Sequence, residues 1–129
     1  MEKQKTAVIT GIRGQDASYL SELLLDKGYK VIGVCRRTSN PNNTNISHLF
    51  DNANFEVISG DVSDAASMSS IVSQYKPNEF YNLAAQSFVA ASWTEPVATF
   101  QTNAVGVINC LEAIRQFSPK IKSFTCFIY

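Results

Sequence analysis

The sequence predicts an α/β fold in which a parallel sheet carries helices on both faces. Three observations predict it. Short apolar runs alternate with amphipathic segments along the chain, a glycine-containing turn joins the first run to the first amphipathic segment, and no repeat or internal linker interrupts the alternation. A length of 129 residues allows one domain with a real core, 1–129, and not two. We expect about five strands, and therefore an incomplete version of this fold.

Composition and charge are those of an ordinary globular protein. Hydrophobic residues make up 45% of the chain, and eleven basic residues balance eleven acidic ones. Because no net charge or long charged run is present, nucleic acid and anionic membranes are poor candidate partners. No signal-peptide pattern occurs, and no apolar run approaches the roughly 18 residues that span a bilayer. Three cysteines without a CxxC pair are typical of reduced thiols in a cytoplasmic protein.

The first strand is predicted around Ala7–Ile9, and a glycine turn follows it. Gly11 permits the tight turn, Gly14 lets the backbone approach a phosphate, and Ala17 lies where the next helix packs on the strand. That helix is predicted from the leucines of Ser18–Leu25, which recur at helical spacing. Strand, glycine turn and helix in this order place backbone N–H groups against a pyrophosphate. We therefore predict a dinucleotide site.

The second strand and its end indicate which dinucleotide is bound. Lys30–Cys35 is apolar enough for a buried parallel strand. About 20 residues past the glycine turn, sites selective for NAD usually present an Asp or Glu to the ribose hydroxyls. This chain has Arg36 and Arg37 there, and guanidiniums suit a 2′-phosphate because each donates a forked pair of hydrogen bonds. We predict NADP. A solvated basic loop is the alternative.

The middle of the chain continues the alternation. Residues 38–45 are predicted to form a polar loop, and Ile46–Phe50 one helical turn whose histidine has a surface or packing role. The third strand is predicted at Phe55–Ser59. Asp61 follows it and could either bind an adenine amino group or cap the next helix. Ser63 or Asp64 is expected to cap that helix, which runs to about Tyr75.

The last third supplies two strands and a long helix. Glu79–Leu83 is the predicted fourth strand, and the small residues after it leave room for a ribose or a nicotinamide. Trp93 and Pro96 are assigned to a loop. An amphipathic helix is then predicted to about Phe117, and residues 123–128 are a candidate fifth strand. The apolar positions of the helix are Phe100, Ala104, Val107, Ile108, Leu111 and Ile114.

The carboxyl ends of parallel strands meet at one edge of a sheet. In a Rossmann-type sheet, that edge would bring Gly11–Ala17, Arg36, Asp61 and Leu83–Ser87 together in one cofactor-sized crevice. Convergence of four separate segments is a stronger indication of a cofactor site than any one segment alone.

Several segments between about residues 6 and 122 resemble one family. They are Thr10–Leu20, Arg36-Arg37, Gly60-Asp61, Asn82–Val89, Ser92-Trp93, Glu95-Pro96 and Leu111–Arg115. Together they resemble the extended short-chain dehydrogenase/reductase superfamily, and within it the GDP-mannose 4,6-dehydratases.

The resemblance implies a tightly bound NADP that oxidises the mannose C4, assists loss of water across C5–C6 and returns the hydride to C6. The product would be GDP-4-keto-6-deoxymannose, and such enzymes commonly form dimers or tetramers. It also implies contacts with the pyrophosphate, the 2′-phosphate, the adenine and the nicotinamide. The residues assigned to cofactor binding are Gly11, Ile12, Arg13, Gly14, Gln15, Asp16, Arg36, Arg37, Asp61, Val62, Leu83, Ala84, Ala85, Gln86 and Ser87.

The chain departs from the family pattern in three ways. Arg13 replaces a small Thr and Ala17 a Gly, and we expect both to crowd the phosphate turn and weaken cofactor binding. The third departure concerns catalysis, which in this family needs a Tyr-x-x-x-Lys pair. None of the five tyrosines has a lysine four residues later. We expect a truncated or frame-shifted chain that lacks a substrate domain and is inactive alone. A stand-alone NADP-binding module without catalysis and a fold that binds nothing are the alternatives.

Overall fold

The computed structural model describes residues 3–86 and 88–125. In chain order the elements are β1 (Thr6–Thr10), α1 (Gln15–Asp26), β2 (Lys30–Cys35), a 3₁₀ turn (Ser47–Leu49), β3 (Phe55–Ser59), α2 (Ala65–Tyr75), β4 (Glu79–Asn82), α3 (Val89–Thr94), α4 (Pro96–Phe100), a π-helical segment (Gln101–Val105), α5 (Gly106–Phe117) and β5 (Lys122–Thr125). Strands and helices alternate, as the sequence predicts.

All five strands are parallel and form one sheet in the order β3-β2-β1-β4-β5. The chain builds outward from β1 through β2 to β3 and then crosses to the other side of β1 to begin β4. Thr10, the last residue of β1, pairs with Val34 on one side and Asn82 on the other. This reversal next to β1 is the position at which open parallel sheets bind ligands.

Helices cover both faces of the sheet, because alternate strand residues point to opposite sides. On one face, Val8 and Ile32 pack with Met68 of α2 and with Cys110 and Ile114 of α5. Together with the helix on the other face, described next, this confirms the predicted parallel sheet with helices on both faces.

The other face of the sheet is covered by α1 and the 3₁₀ turn. There, Ile9 and Val31 pack with Ala17 and Leu24 of α1 and with Leu49 of the 3₁₀ turn. The Ala17 side chain is part of this core.

Helix ends follow their sequence signals. The backbone N–H of Gly28 donates to the Leu25 carbonyl, and Gly28 has a φ of +83°, a conformation that favours glycine at a helix end. Asp64 begins α2, and its carboxylate accepts from the backbone N–H groups of Ala66 and Ser67. Of the two capping residues considered for α2, Asp64 is therefore the one observed.

The segment before α5 differs from the prediction. Residues assigned to a loop around Trp93 form α3, and the single long helix is interrupted by the π-helical segment. Three large apolar residues of the predicted helix, Phe100, Ile108 and Leu111, are 64%, 58% and 47% exposed, whereas Ile114 is buried in the core. Small residues allow the close packing of α5 instead. The prediction differed because helical periodicity was assessed from the large apolar residues.

The fifth strand begins at Lys122, one residue before its predicted start, and is described to Thr125. Residues 126–128 of the predicted strand lie outside the described residues. Among the described helices, none combines the length and apolar character needed to cross a membrane.

Candidate functional site

A crevice of about 1110 Å³ opens at the carboxyl edge of the sheet. All four segments predicted to converge contribute to it. Of the predicted site residues, it is lined by Gly11, Ile12, Arg13, Gly14, Arg36, Arg37, Asp61, Val62, Leu83, Ala84 and Ala85. Gln15 and Gln86 each follow a lining residue, but neither they nor Asp16 is part of the lining, and Ser87 lies outside the described residues.

The glycine turn lies directly against the end of β4. Gly11 has a φ of +68°, and a Cβ there would be 2.7 Å from the Leu83 carbonyl oxygen and 2.9 Å from the Ala84 nitrogen. Only glycine fits this approach without displacing backbone. The Gly14 N–H donates to the Gly11 carbonyl at 3.1 Å, which closes the turn immediately before α1. The turn therefore presents the start of α1 to the crevice.

Two buried polar side chains join the strand ends beneath the turn. The Thr10 hydroxyl and the Asn82 carboxamide oxygen are 2.5 Å apart, and the Ala84 N–H donates to the Thr10 hydroxyl at 3.3 Å. The sequence analysis missed this pair. Its signal was available, since both are polar residues that end otherwise apolar strands.

Arg13 leaves the turn towards the loop after β2. Its Nε–H donates to the Asn43 side-chain oxygen at 2.9 Å and its Nη1 to the Arg36 carbonyl at 3.3 Å. The Asn45 amide in turn donates to the Arg13 carbonyl at 2.9 Å. These contacts join Arg13 to the segment after β2, and the expected effect of Arg13 on cofactor binding stays a prediction. They also tether the polar loop of residues 38–45.

The side chains of Arg36 and Arg37 are exposed where they line the crevice. Asp61 lines it from the end of β3, and its carboxylate accepts from the Ser63 N–H at 2.9 Å and the Ser63 hydroxyl at 2.7 Å. Asp61 thus forms the turn before α2, whereas the cap itself is Asp64. Its predicted contact with adenine stays a prediction.

Two asparagines of the long helical stretch hold the other crevice loops. In the π-helical segment, Asn103 accepts from the Gln86 N–H at 2.7 Å and donates to the Gln86 carbonyl at 2.9 Å. From α5, Asn109 donates to the Val62 carbonyl at 2.8 Å. The helical prediction treated this stretch only as an apolar face, and its asparagines were the unused signal. One stretch thus fixes the loops after β3 and β4.

Two tyrosines among the described residues have raised pKa values. A tyrosine that acts as a base needs a pKa pulled down towards neutrality. Burial raises the pKa of Tyr81, and the neighbouring Glu79 raises it further. Burial and Glu56 likewise raise the pKa of Tyr75. The described residues contain no cluster of three or more metal-ligating side chains, and His48 instead pairs with Glu22 at 2.6 Å.

Solved structures share this architecture. The Bordetella bronchiseptica enzyme WbmH, solved in complex with NAD+, is 29% identical with a TM-score of 0.72, over 88% of this chain and 36% of that one. A UDP-glucose 4-epimerase from Thermotoga maritima is 27% identical with a TM-score of 0.78, over 93% and 37% of the two chains.

Curated relatives are closer in sequence. GDP-mannose 4,6-dehydratase of Vibrio cholerae is 45% identical over 117 residues, which are 87% of this chain and 32% of the relative. GDP-mannose 4,6 dehydratase 1 of Arabidopsis thaliana is 44% identical over 121 residues, 89% and 34% of the respective chains. The chain therefore spans about a third of the length of these relatives.

The family model described as GDP-mannose 4,6 dehydratase matches residues 8–127, which include every segment of the crevice. The chain therefore belongs to the GDP-mannose 4,6-dehydratase family.

Proposed function

We propose that this chain binds NADP(H) in the crevice at the carboxyl edge of its sheet and forms the cofactor-binding part of a GDP-mannose 4,6-dehydratase. The observation that carries the proposal is the convergence of three features on one cavity. These are the glycine turn at Gly11, the guanidiniums of Arg36 and Arg37, and the small residues Ala84 and Ala85. Each suits a different part of the dinucleotide.

The residues present fit this cofactor from end to end. The glycine turn and the start of α1 suit the pyrophosphate, with Gln15 and Asp16 beside them. Asp61 and Val62 would border the adenine. Leu83 to Gln86 would border the nicotinamide, and Ser87 is assigned to the same end from the sequence. Asn103 and Asn109 would keep these two loops at a fixed separation.

The choice of NADP rests on the end of β2. In the parallel sheet, β2 lies beside β1, so Arg36 and Arg37 are next to the glycine turn. The structure of WbmH was solved with bound NAD+, which supports a nicotinamide cofactor for this chain as well. Guanidiniums at this position favour the form that carries a 2′-phosphate.

The activity of the whole enzyme follows from the family. We propose GDP-mannose as substrate and GDP-4-keto-6-deoxymannose as product, with the bound cofactor supplying reversible hydride transfer. The residues proposed to bind the cofactor are present here, but no Tyr-x-x-x-Lys pair occurs in these 129 residues. We therefore expect the 129-residue chain alone to bind NADP without turning over GDP-mannose. A cytoplasmic location and a homo-oligomeric state complete the proposal.

A direct titration tests the proposal. Purified chain is titrated with NADPH and separately with NADH, followed by nicotinamide fluorescence. We expect NADPH to bind at least about tenfold more tightly, because charge-assisted hydrogen bonds to one phosphate are worth about 1.5–3 kcal/mol. Arg36→Ala should remove most of that preference.

Arg115→Ala is the matched control, since Arg115 is exposed on α5 and pairs with Glu112 rather than lining the crevice. Binding of neither nucleotide would refute the proposed function. Equal binding of both would leave a nicotinamide site but refute the choice of NADP.

A further inference from the structure

We propose that Arg13 is a specificity-determining residue of this crevice and binds the 2′-phosphate together with Arg36. The inference rests on the proposed function, because it concerns the part of NADP(H) that NAD(H) lacks. It gives a functional role to Arg13, which adds a long side chain to the glycine turn.

The sheet places the two arginines side by side. Arg13 is in the turn after β1, Arg36 follows β2, and these strands are hydrogen-bonded neighbours. The Ile12 N–H donates to the Val34 carbonyl at 3.3 Å, which fixes the turn against the end of β2. The backbone therefore brings the turn that carries Arg13 next to the segment that carries Arg36, and both residues line the crevice.

The guanidinium of Arg13 is already oriented. Asn43 accepts from Nε–H, and the Arg36 carbonyl accepts from Nη1. These bonds use Nε–H and one Nη1–H, and they leave the Nη2 amino group and the second Nη1–H as donors. A long, flexible side chain held in this way loses little further freedom when an anion binds. The bond to the Arg36 carbonyl also orients the segment that carries the second guanidinium.

Charge in this part of the crevice is strongly one-sided. Arg13, Arg36 and Arg37 all line it, and Asp61 is the carboxylate among the lining residues. That carboxylate is engaged by Ser63. In a chain whose charges sum to zero, this arrangement concentrates positive charge at one site. A phosphate gains from that charge, whereas a neutral ribose hydroxyl gains little. Arg13 should therefore change the ratio of affinities rather than affinity in general.

The test compares ligands that differ only in the 2′-phosphate. Binding of NADPH against NADH, and of adenosine 2′,5′-bisphosphate against adenosine 5′-monophosphate, is measured for the wild type and Arg13→Ala. We expect Arg13→Ala to weaken NADPH and the bisphosphate about 10- to 100-fold and to change NADH and the monophosphate less than about threefold. Arg13→Lys keeps the charge but not the fork and should recover only part of the preference.

Controls separate this role from a structural one. Asn43→Ala removes the bond that orients Arg13 and should lower the same ratio by less than Arg13→Ala does. Arg115→Ala should leave the ratio unchanged. A loss of folding would weaken all four ligands together, and Arg13→Lys keeps the question answerable if Arg13→Ala does not fold.

The outcomes distinguish this inference from the proposed function. Retention of the full 2′-phosphate preference in Arg13→Ala overturns the role of Arg13, even where NADPH binds well. No preference for the bisphosphate in the wild type overturns it too. If the bisphosphate binds in an Arg13-dependent way but NADPH does not bind, the role of Arg13 stands and the proposed nicotinamide cofactor fails.

Discussion

Gly11 and Gly28 are the two glycines of this chain with positive φ, and their surroundings differ. At Gly11 a Cβ would press on the Leu83 carbonyl and the Ala84 nitrogen, whereas at Gly28 it would meet nothing within 4 Å. The pair therefore separates the cost of a left-handed backbone from the cost of a close approach. That distinction matters because the close approach forms the floor of the crevice.

We expect Gly28→Ala to lower the free energy of unfolding by about 1–2 kcal/mol, the cost of left-handed backbone for a residue with a Cβ. Gly11→Ala should cost about 2–5 kcal/mol, because displacing packed backbone adds about 1–3 kcal/mol to the same left-handed cost. Urea unfolding of the two variants measures the difference. NADPH affinity should fall only in Gly11→Ala. Equal losses of stability in both variants would show that the Leu83 contact carries no energy.

Residue types at the crevice were predictable where backbone geometry or charge demands them. The glycines of the turn and the arginines after β2 fall into this class. Arg13 was recognised as unusual, but its partners were not, because Asn43 is 30 residues away and the contact exists only after folding. The same holds for the bond between Thr10 and Asn82, which are 72 residues apart.

At the scale of elements, buried parallel strands were predicted most closely. The bounds of β2 and β3 match because their apolar runs are flanked by charged or turn-forming residues. The segment from α3 to α5 was predicted least well. Its π-helical segment contains Asn103, which is hydrogen-bonded to the backbone of Gln86, and helical periodicity does not predict such bonds.

The contact between α2 and α5 contains a buried thiol, and its ionisation makes the stability of the fold depend on pH. Cys110 is 3% exposed, and its Sγ lies 3.7 Å from the Met68 sulfur. Burial raises the pKa of Cys110 from 9.0 to about 12. The thiol stays neutral in the folded state and ionises more readily in the unfolded chain. Its contribution to stability is therefore complete below pH 9 and declines as the pH rises towards 12.

We expect the free energy of unfolding to decrease as the pH rises from 9 towards 12, at up to about 1.4 kcal/mol per pH unit above the unfolded pKa. Urea unfolding of the wild type and Cys110→Ala at several pH values isolates the effect. The two curves should converge as the pH rises. Tyr75 and Tyr81, whose pKa values are also raised, titrate in both proteins and cancel in the difference. Parallel curves would rule out the coupling.

The whole molecule has an uneven surface. The helices around α5 expose a group of large apolar side chains, which we call the apolar helical surface: Phe88, Val89, Trp93, Val97, Phe100, Ile108 and Leu111. Trp93 alone is 83% exposed. In addition, β5 is at one edge of the described sheet, with β4 as its neighbour. An unpaired strand edge and an exposed apolar surface both favour association with another chain.

Self-association through the apolar helical surface should depend on concentration and on these side chains. Each large apolar side chain buried in a contact contributes about 1.5–3 kcal/mol, so replacing one with a charge should weaken a dimer at least about tenfold. We expect Trp93→Glu and Phe100→Glu to shift the protein towards monomer in sedimentation velocity runs over a range of concentrations. Tyr19→Glu is the matched control, because Tyr19 is 62% exposed but belongs to α1, across the sheet from α5. A wild type that sediments as a monomer at its highest soluble concentration would contradict association. If Tyr19→Glu shifts the protein towards monomer equally, the added charge is the cause. Hydrophobic contact predicts a shift only for substitutions within the apolar helical surface.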